Sequence, residues 1–160
     1  MLRKLRIVFH EFMGAYRSAQ KKEESSSAHY LKSAELGSLK SQNEIGVRYY
    51  EGKGVAQDFA ESIRWYKLAA EQEYMYSQAN LGWCHLRGEG VQQNNEIAFE
   101  WYKKSAEKGY PVSQYHAGKM YAHGIGVVRD IAKAKYWLEQ AIKNEVPEAE
   151  GLLKEIESGT

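Results

Sequence analysis

The residues that could carry catalysis or bind a metal are five histidines and a single cysteine, and they are scattered along the chain. They are His10, His29, Cys84, His85, His116 and His123. No two histidines have the His-x-x-x-His spacing that places two metal ligands on one helix face. One cysteine cannot form an intrachain disulfide or a pair of thiolate ligands. The sequence therefore predicts no metal site and no cofactor.

Cys84 and His85 are adjacent, and this raises the possibility of a cysteine nucleophile with a histidine base. Neighbouring residues on a helix point about 100° apart, so they do not face each other. His85 also lies 36 positions from Tyr49 and from Tyr121, which predicts an aromatic packing position. We therefore predict no catalytic residue.

Three Gly-x-Gly-Val segments are the next chemical candidates, because glycine-rich loops can bind phosphate. They are 52–55, 88–91 and 124–127, at intervals of 36 residues. Each follows a helical pattern and lacks the remaining glycine of a dinucleotide fingerprint, so a phosphate site is not indicated. The constant interval indicates structural repeats, which stack into solenoids.

Other residues share this period. Trp65-Tyr66 recurs as Trp101-Tyr102, and Trp137 lies 36 positions beyond Trp101. The pattern predicts an all-α solenoid of 36-residue helix-turn-helix units, with capping helices at both ends. The predicted array spans 24–157, and its units are about 24–57, 58–93, 94–129 and 130–157.

Helix boundaries follow from the turn chemistry. Gly52, Gly88 and Gly124 suit left-handed positions that end a helix, while Asp58, Asn94 and Asp130 suit N-caps. Glycine within a helix lowers stability, so the periodic Gly46, Gly82 and Gly118 predict close backbone contact. The predicted helices are about 26–37, 40–51, 58–73, 76–87, 94–109, 112–123, 130–145 and 147–157.

Residues 1–23 form a separate basic segment. Leu2, Leu5, Phe9, Phe12 and Tyr16 recur at helical spacing, which predicts an amphipathic helix to about residue 20. The polar run 21–27 reads as a linker or a helix start. The helix could cap the array, dock into a partner groove or on an anionic membrane, or serve as a targeting peptide.

The charge distribution limits the classes of partner that the chain is expected to bind. The chain has a net charge of +1, whereas residues 1–22 carry six basic side chains and one acidic side chain, which leaves the array at −4. A mildly acidic array does not favour nucleic acid, although twelve tyrosines and four tryptophans could stack on bases. The chain has no apolar run of membrane-spanning length, and a cytoplasmic location is predicted, with organellar targeting as the alternative.

The repeat itself resembles a known family. Trp65-Tyr66-x-x-Ala69-Ala70, Leu81-Gly82 and the Gly88-x-Gly90-Val91 loop followed by Asn94 resemble the Sel1-like repeat, a relative of the tetratricopeptide repeat. The resemblance covers about 24–157 and implies a right-handed α/α superhelix whose inner surface binds other proteins. The cysteine-rich branch of the family is not matched, because Cys84 is the only cysteine.

Two adjacent aromatic residues in a helix cannot both face one core stripe. If Tyr66 and Tyr102 pack inward, the neighbouring tryptophans are displaced toward the groove, where exposed aromatic residues commonly anchor partners. The alternative is that the tryptophans bridge adjacent units. The candidate partner-binding residues of the second to fourth units are Arg64, Trp65, Lys67, Glu71, Glu100, Trp101, Lys103, Lys104 and Trp137.

We therefore predict a non-enzymatic protein-binding module. As the resemblance implies, it would be an adaptor or scaffold, or an immunity partner that neutralises a bacterial effector. Two alternatives remain: a membrane-associated regulator docked by the basic helix, and a hydrolase of the kind proposed within the family.

Overall fold

The computed structural model describes residues 2–158, with side chains from residue 12 onward except at position 14. This part of the chain forms helices joined by short turns, without a strand. The predicted all-α solenoid is confirmed. The helices are α1 (Leu2–Glu35), α2 (Leu39–Glu51), α3 (Phe59–Ala70), α4 (Met75–Arg87), α5 (Asn95–Glu107), α6 (Pro111–His123), α7 (Ile131–Lys143) and α8 (Pro147–Ser158).

The helices alternate between two layers. The C-terminal part of α1 together with α3, α5 and α7 forms the first-helix layer, and α2, α4, α6 and α8 form the second-helix layer. The main contacts join successive helices, with α6 also contacting α8. This arrangement is that of a solenoid in which each unit packs mainly on its neighbours.

The loops between units follow the predicted chemistry. Gly52 and Gly88 end α2 and α4 in the left-handed conformation, with φ values of 71° and 73°. The Asp58 carboxylate then accepts hydrogen bonds from the backbone N–H groups of Ala60 and Glu61 at the start of α3. Capping of this kind satisfies donors that the helix leaves free, so each loop both ends one unit and starts the next.

The periodic glycines of the second helices allow side chains of the next unit to approach. A Cβ atom at position 82 would lie 2.9 Å from the Tyr102 ring, and one at position 118 would lie 2.8 Å from Leu138. The sequence predicted that these glycines contact the backbone of a neighbouring helix, but their nearest neighbours are the side chains of Tyr102 and Leu138. The second helix of one unit therefore packs tightly against the first helix of the next.

Within each unit, the turn between the two helices holds a residue with positive φ. The series is Gly37, Glu73, Gly109 and Glu145, with φ values of 92°, 64°, 87° and 60°. The helices predicted at 58–73, 94–109 and 130–145 end at Ala70, Glu107 and Lys143, two or three residues earlier than predicted. In two units a glutamate thus adopts a conformation that favours glycine.

The interruption predicted at 21–27 is wrong, because α1 continues through it as one helix. A buried polar contact holds this stretch on the first unit. Arg48 of α2 donates to the Glu23 carboxylate at 3.1 Å and to the Ser27 hydroxyl at 3.0 Å. The Ser27 hydroxyl in turn donates to the Lys53 carbonyl at 2.8 Å. Residues from about 23 onward therefore serve as the first helix of unit one.

The apolar stripe predicted along the first part of α1 is exposed at the two positions whose side chains are described. Phe12 is 67% exposed and Tyr16 is 56% exposed. The other members of the stripe, Leu2, Leu5 and Phe9, lie outside the described side chains, so a capping role for this segment stays a prediction. No described helix combines the length and the apolar character needed to cross a membrane.

Candidate protein-binding groove

Trp65 and Tyr66 are both buried, at 4% and 3% exposure, so the predicted displacement of Trp65 into the groove is wrong. The two rings enter different cores. Trp65 packs with Ala34 and Ile45 of the preceding unit, while Tyr66 packs with Leu81 of its own unit. Adjacent helical positions diverge, and a solenoid helix has a core on either side of it. Trp65 therefore bridges adjacent units, as the alternative interpretation proposed.

Trp101 and Trp137 repeat this bridging position but are only half-buried. Trp101 packs against the cluster that contains Tyr66, and Trp137 packs against the cluster that contains Phe99. Tyr136 lies edge-on to Trp137, with ring centroids 5.0 Å apart. Part of each tryptophan thus remains accessible at the first-helix layer.

The accessible part of Trp101 lines a cavity of about 440 Å³. The cavity lies where the end of α3, the start of α4 and one face of α5 meet. It is lined by Ala70, Glu71, Glu73, Gln78, Trp101, Lys104, Glu107 and Lys108. We call this set of residues the α3–α5 cavity. It brings together three of the predicted partner-binding residues.

The α3–α5 cavity combines an aromatic face with charges of both signs. The Lys104 ammonium lies 4.6 Å from the centroid of the Trp101 ring, within the range of a cation–π contact. Lys108 donates to the Glu73 carboxylate at 2.8 Å and joins two units. This hydrogen bond and the Lys108 charge lower the pKa of Glu73. The cavity can therefore offer a stacking surface, carboxylates and ammonium groups to one ligand.

The other predicted residues lie along the first-helix layer and outside this cavity. Arg64 pairs with Glu61 at 2.9 Å and lies 4.4 Å from the Trp65 ring centroid. Lys67 and Glu100 are exposed, and Lys103 is half-buried. Trp137 belongs to the following unit. The predicted set thus marks successive first helices instead of one compact site.

Sequence reasoning missed several lining residues, including Glu73 and Lys108. Glu73 could have been found, because it occupies the repeat position that is glycine at Gly37 and Gly109. A glutamate at a glycine position has a strained backbone conformation, and strained residues are enriched at functional sites. Lys108 gave no comparable signal, since its contact with Glu73 depends on how two units stack.

A second, less polar cavity of about 330 Å³ lies between α2, α3 and α4. On its wall Trp83 donates to the Tyr50 hydroxyl oxygen at 2.9 Å, and that hydroxyl donates to the Glu89 carboxylate. Burial, followed by the Glu89 contact, raises the pKa of Tyr50. This arrangement fixes the side chains between α2 and α4.

Cys84 also lines the second cavity but is 1% exposed. Burial raises the pKa of its thiol to about 12, so the reactive thiolate is disfavoured. His85, the proposed base, is half-buried, and burial lowers its pKa. Among the described residues no cluster of three or more histidine, cysteine, aspartate or glutamate side chains could hold a metal.

Comparison with known proteins identifies the repeat. The family model described as "Sel1 repeat" matches residues 39–74, 76–110 and 111–145. Each matched stretch begins at a second helix, α2, α4 or α6, and runs through the first helix of the next unit. No curated protein sequence gives a significant match.

Three solved structures share the fold. A protective antigen of uropathogenic Escherichia coli with an SLR fold is 34% identical, with a TM-score of 0.80 over 84% of this chain and 29% of that protein. A Sel1 repeat protein from Oxalobacter formigenes is 37% identical, with a TM-score of 0.74 over 80% and 96% of the two chains. The cysteine rich protein B of Helicobacter pylori is 19% identical, with a TM-score of 0.67 over 84% and 96%.

This chain spans less than a third of the length of the E. coli antigen. The H. pylori protein supports the fold alone, because its sequence identity is low. Repeats of the Sel1 type generally mediate protein–protein interaction. Because the family model covers well over half of the sequence, the chain belongs to the Sel1 repeat family.

Proposed function

We propose that the chain is a non-enzymatic adaptor that grips a partner protein along its first-helix layer, with the α3–α5 cavity as the principal anchor. The observation that carries this proposal is the half-buried Trp101, whose open edge lines a cavity of about 440 Å³ beside charged groups. Interface hot spots are typically aromatic residues in pockets with a polar rim.

The charges of the α3–α5 cavity favour a basic or polar side chain as the anchor of the partner. Three glutamates and two lysines line it, and Lys108 is already paired with Glu73. Glu71 and Glu107 make no ion pair with the described residues. A lysine or arginine of the partner could therefore reach a carboxylate while its stem covers Trp101.

The proposal is tested by charge reversal at exposed positions. The groove variant carries Glu71→Lys and Lys104→Glu, which keep the net charge. They remove the Lys104 contact with the Trp101 ring but leave Trp101 packed against the cluster that contains Tyr66. The control variant carries Glu51→Lys and Lys119→Glu on α2 and α6, both exposed residues of the second-helix layer. Thermal unfolding of both variants should match that of the unmodified chain.

Affinity capture from the native cell, read by mass spectrometry, then compares the variants. A stoichiometric partner retained by the unmodified chain and the control variant, but lost by the groove variant, is the expected result. A partner that the control variant loses instead would move the site to the second-helix layer. A chain with residues 1–20 deleted tests whether the partner requires α1.

The finer role is an adaptor or an immunity partner that neutralises a bacterial effector, in a cytoplasmic location. This step rests on analogy within the family. Coexpression tests it, because a captured effector that is toxic alone should lose its toxicity in the presence of this chain. Continued toxicity in a stable complex would support the adaptor role.

The exposed Phe12 and Tyr16 on a basic helix favour a second candidate, a regulator docked on anionic membranes. The vesicle experiment described below tests it. For the third alternative, a hydrolase, the described residues offer only Cys84 as a thiol nucleophile, and its burial argues against that chemistry.

A further inference from the structure

The net charge of this molecule is concentrated at its two ends. Residues 1–22 carry six basic side chains and one acidic side chain, a net charge of +5. Residues 144–160 carry five glutamates and one lysine, a net charge of −4. Residues 23–143 hold fifteen charges of each sign and are neutral. In a linear solenoid, this distribution makes the stack of helices electrically polar.

The basic end is a helix that extends beyond its own unit. With 34 residues, α1 is about 51 Å long, whereas the 13 residues of α2 span about 20 Å. The hydrogen bonds to the buried Arg48 begin at Glu23. Side chains 15–22 are all exposed, and so is Phe12. We call residues 2–22 the leading half of α1, and its described part presents Phe12, Tyr16, Arg17, Lys21 and Lys22 to solvent.

The acidic end is formed by α8 and the turn before it. Glu148, Glu150, Glu155 and Glu157 are all exposed. A cavity of about 350 Å³ lies at the turn between α7 and α8, and it is lined by Ile142, Glu145, Val146, Pro147 and Glu150. An apolar floor with a carboxylate rim is complementary to a helix that carries aromatic and basic side chains.

Gly151 provides an independent observation on an adjacent face of α8, which it shares with Glu148 and Glu155. It lies inside α8 and is exposed, and a Cβ atom built there would meet nothing within 4 Å. Gly82, in contrast, is needed for contact with Tyr102. Glu148 and Glu155 lie one turn before and after Gly151. No contact within the described chain explains a glycine here, but its bare backbone would let another helix approach closely.

We propose that the leading half of α1 docks on the exposed face of α8 of a second copy of this chain. The contact joins two different surfaces, so a pair of chains keeps one free basic end and one free acidic end. Assembly then continues head to tail, and the chains form short linear oligomers. This assembly leaves the α3–α5 cavity open and does not depend on the function proposed for it.

Sedimentation velocity of the full chain over a range of concentrations tests the proposal. We expect the average mass to rise steadily above the 18.3 kDa of one chain. Assembly should dissociate in high salt, because the Debye length falls from about 10 Å at 0.1 M to about 3 Å at 1 M. A mass that stays at 18.3 kDa at every concentration overturns the proposal.

Two charge-reversed variants make the test specific. The tail variant carries Glu148→Lys and Glu155→Lys, and the head variant carries Arg17→Glu and Lys21→Glu. Each should associate at least about tenfold more weakly than the unmodified chain, since the attraction between the charged ends is reduced. In the tail variant the acidic end becomes neutral, and in the head variant the basic end keeps a net charge of only +1. An equimolar mixture of the two should associate again into pairs, because the leading half of α1 in the tail variant and α8 in the head variant are both unmodified. Failure of the mixture to associate contradicts the proposal.

The control variant carries Glu96→Lys and Glu139→Lys in the neutral middle segment. Glu96 and Glu148 both lie in the first turn of a helix, so the control and tail variants lose the same favourable dipole interaction. The control should assemble like the unmodified chain. A dimer that the tail variant forms equally well would overturn the proposal.

Vesicles of phosphatidylserine and phosphatidylcholine test the alternative that the leading half of α1 binds an anionic membrane. If the chain binds these vesicles yet stays monomeric in solution, the helix serves a membrane and the head-to-tail contact is wrong. Neither result affects the groove variant of the proposed function, so the two proposals can fail separately.

Discussion

Glu145 adopts a left-handed backbone conformation, with φ of 60°, at a turn where two other units have glycine. This conformation costs a residue with a Cβ atom about 1–2 kcal/mol. We expect Glu145→Gly to raise the free energy of unfolding by about 1 kcal/mol, after the entropic cost of glycine. Urea denaturation checks this value. Glu148→Gly, in the helix itself, is the matched control and should lower stability by about 1 kcal/mol.

His116 makes stability depend on pH. Its ring stacks on Tyr102 at 4.5 Å, and burial, followed by the Lys119 charge, lowers its pKa to about 4. The unfolded chain, with a histidine pKa of about 6.5, binds this proton more readily as the pH falls. Stability is therefore retained above pH ~6.5 and falls between that value and pH ~4, by up to about 3 kcal/mol.

Urea midpoints at pH ~7.5 and ~4.5 test this expectation. His116→Phe keeps an aromatic ring on Tyr102 but cannot titrate, so its stability should vary less over the same range. The partly exposed His85 is unchanged in both proteins and serves as an internal control. If the two proteins lose equal stability, His116 is not the responsible group.

Among the helices, the spacing between neighbours is set by glycine. A Cβ atom at position 82 would lie 2.9 Å from the Tyr102 ring, so Gly82→Ala forces α4 and α5 apart. Such overpacking typically costs about 1–3 kcal/mol, more than the propensity gain of alanine. We expect a lower melting temperature for this variant.

Gly151→Ala is the matched control, because the new methyl group would enter open space within the chain. It should raise the stability of the monomer by about 1 kcal/mol through helix propensity alone. Thermal melts at low protein concentration and in high salt separate this effect from self-association. A loss of stability in Gly151→Ala would show that the α8 surface is more crowded than it appears.

At the level of elements, the sequence predicted what local chemistry decides. The N-caps at Asp58 and Asn94 and the left-handed Gly88 depend on a few adjacent residues, and all are observed. The continuity of α1 could not be predicted from adjacent residues. Its polar run 21–27 resembles a linker until Arg48, 25 positions after Glu23, supplies a buried partner.

The candidate site was less predictable than the fold for the same reason. Trp65 and Trp101 occupy one repeat position, yet Trp65 is buried and Trp101 is half-open. The difference depends on the preceding unit, since Tyr30, Leu31 and Tyr49 surround the Trp65 cluster. A sequence pattern does not show which residues of the preceding unit surround each tryptophan. It placed both tryptophans on first helices but could not identify which tryptophan was open.

For the whole molecule, unit-to-unit contacts carry the stability of the array, and Trp65 is a sensitive place to test this. Its ring joins the first two units and is 4% exposed. Trp65→Ala removes a large buried ring and should cost about 3–5 kcal/mol. Because each unit contacts mainly its neighbours, hydrogen exchange should accelerate in α1 to α3 more than in α7 and α8.

Trp83→Ala is the comparison, because that ring is 39% exposed on the second-helix layer. It should cost less and leave the exchange of α1 close to that of the unmodified chain. Equal acceleration from α1 to α8 in Trp65→Ala would mean that the array unfolds as a single cooperative unit. In that case the coupling between units exceeds the stability of each unit, and a partner bound at one cavity would stabilise the entire solenoid.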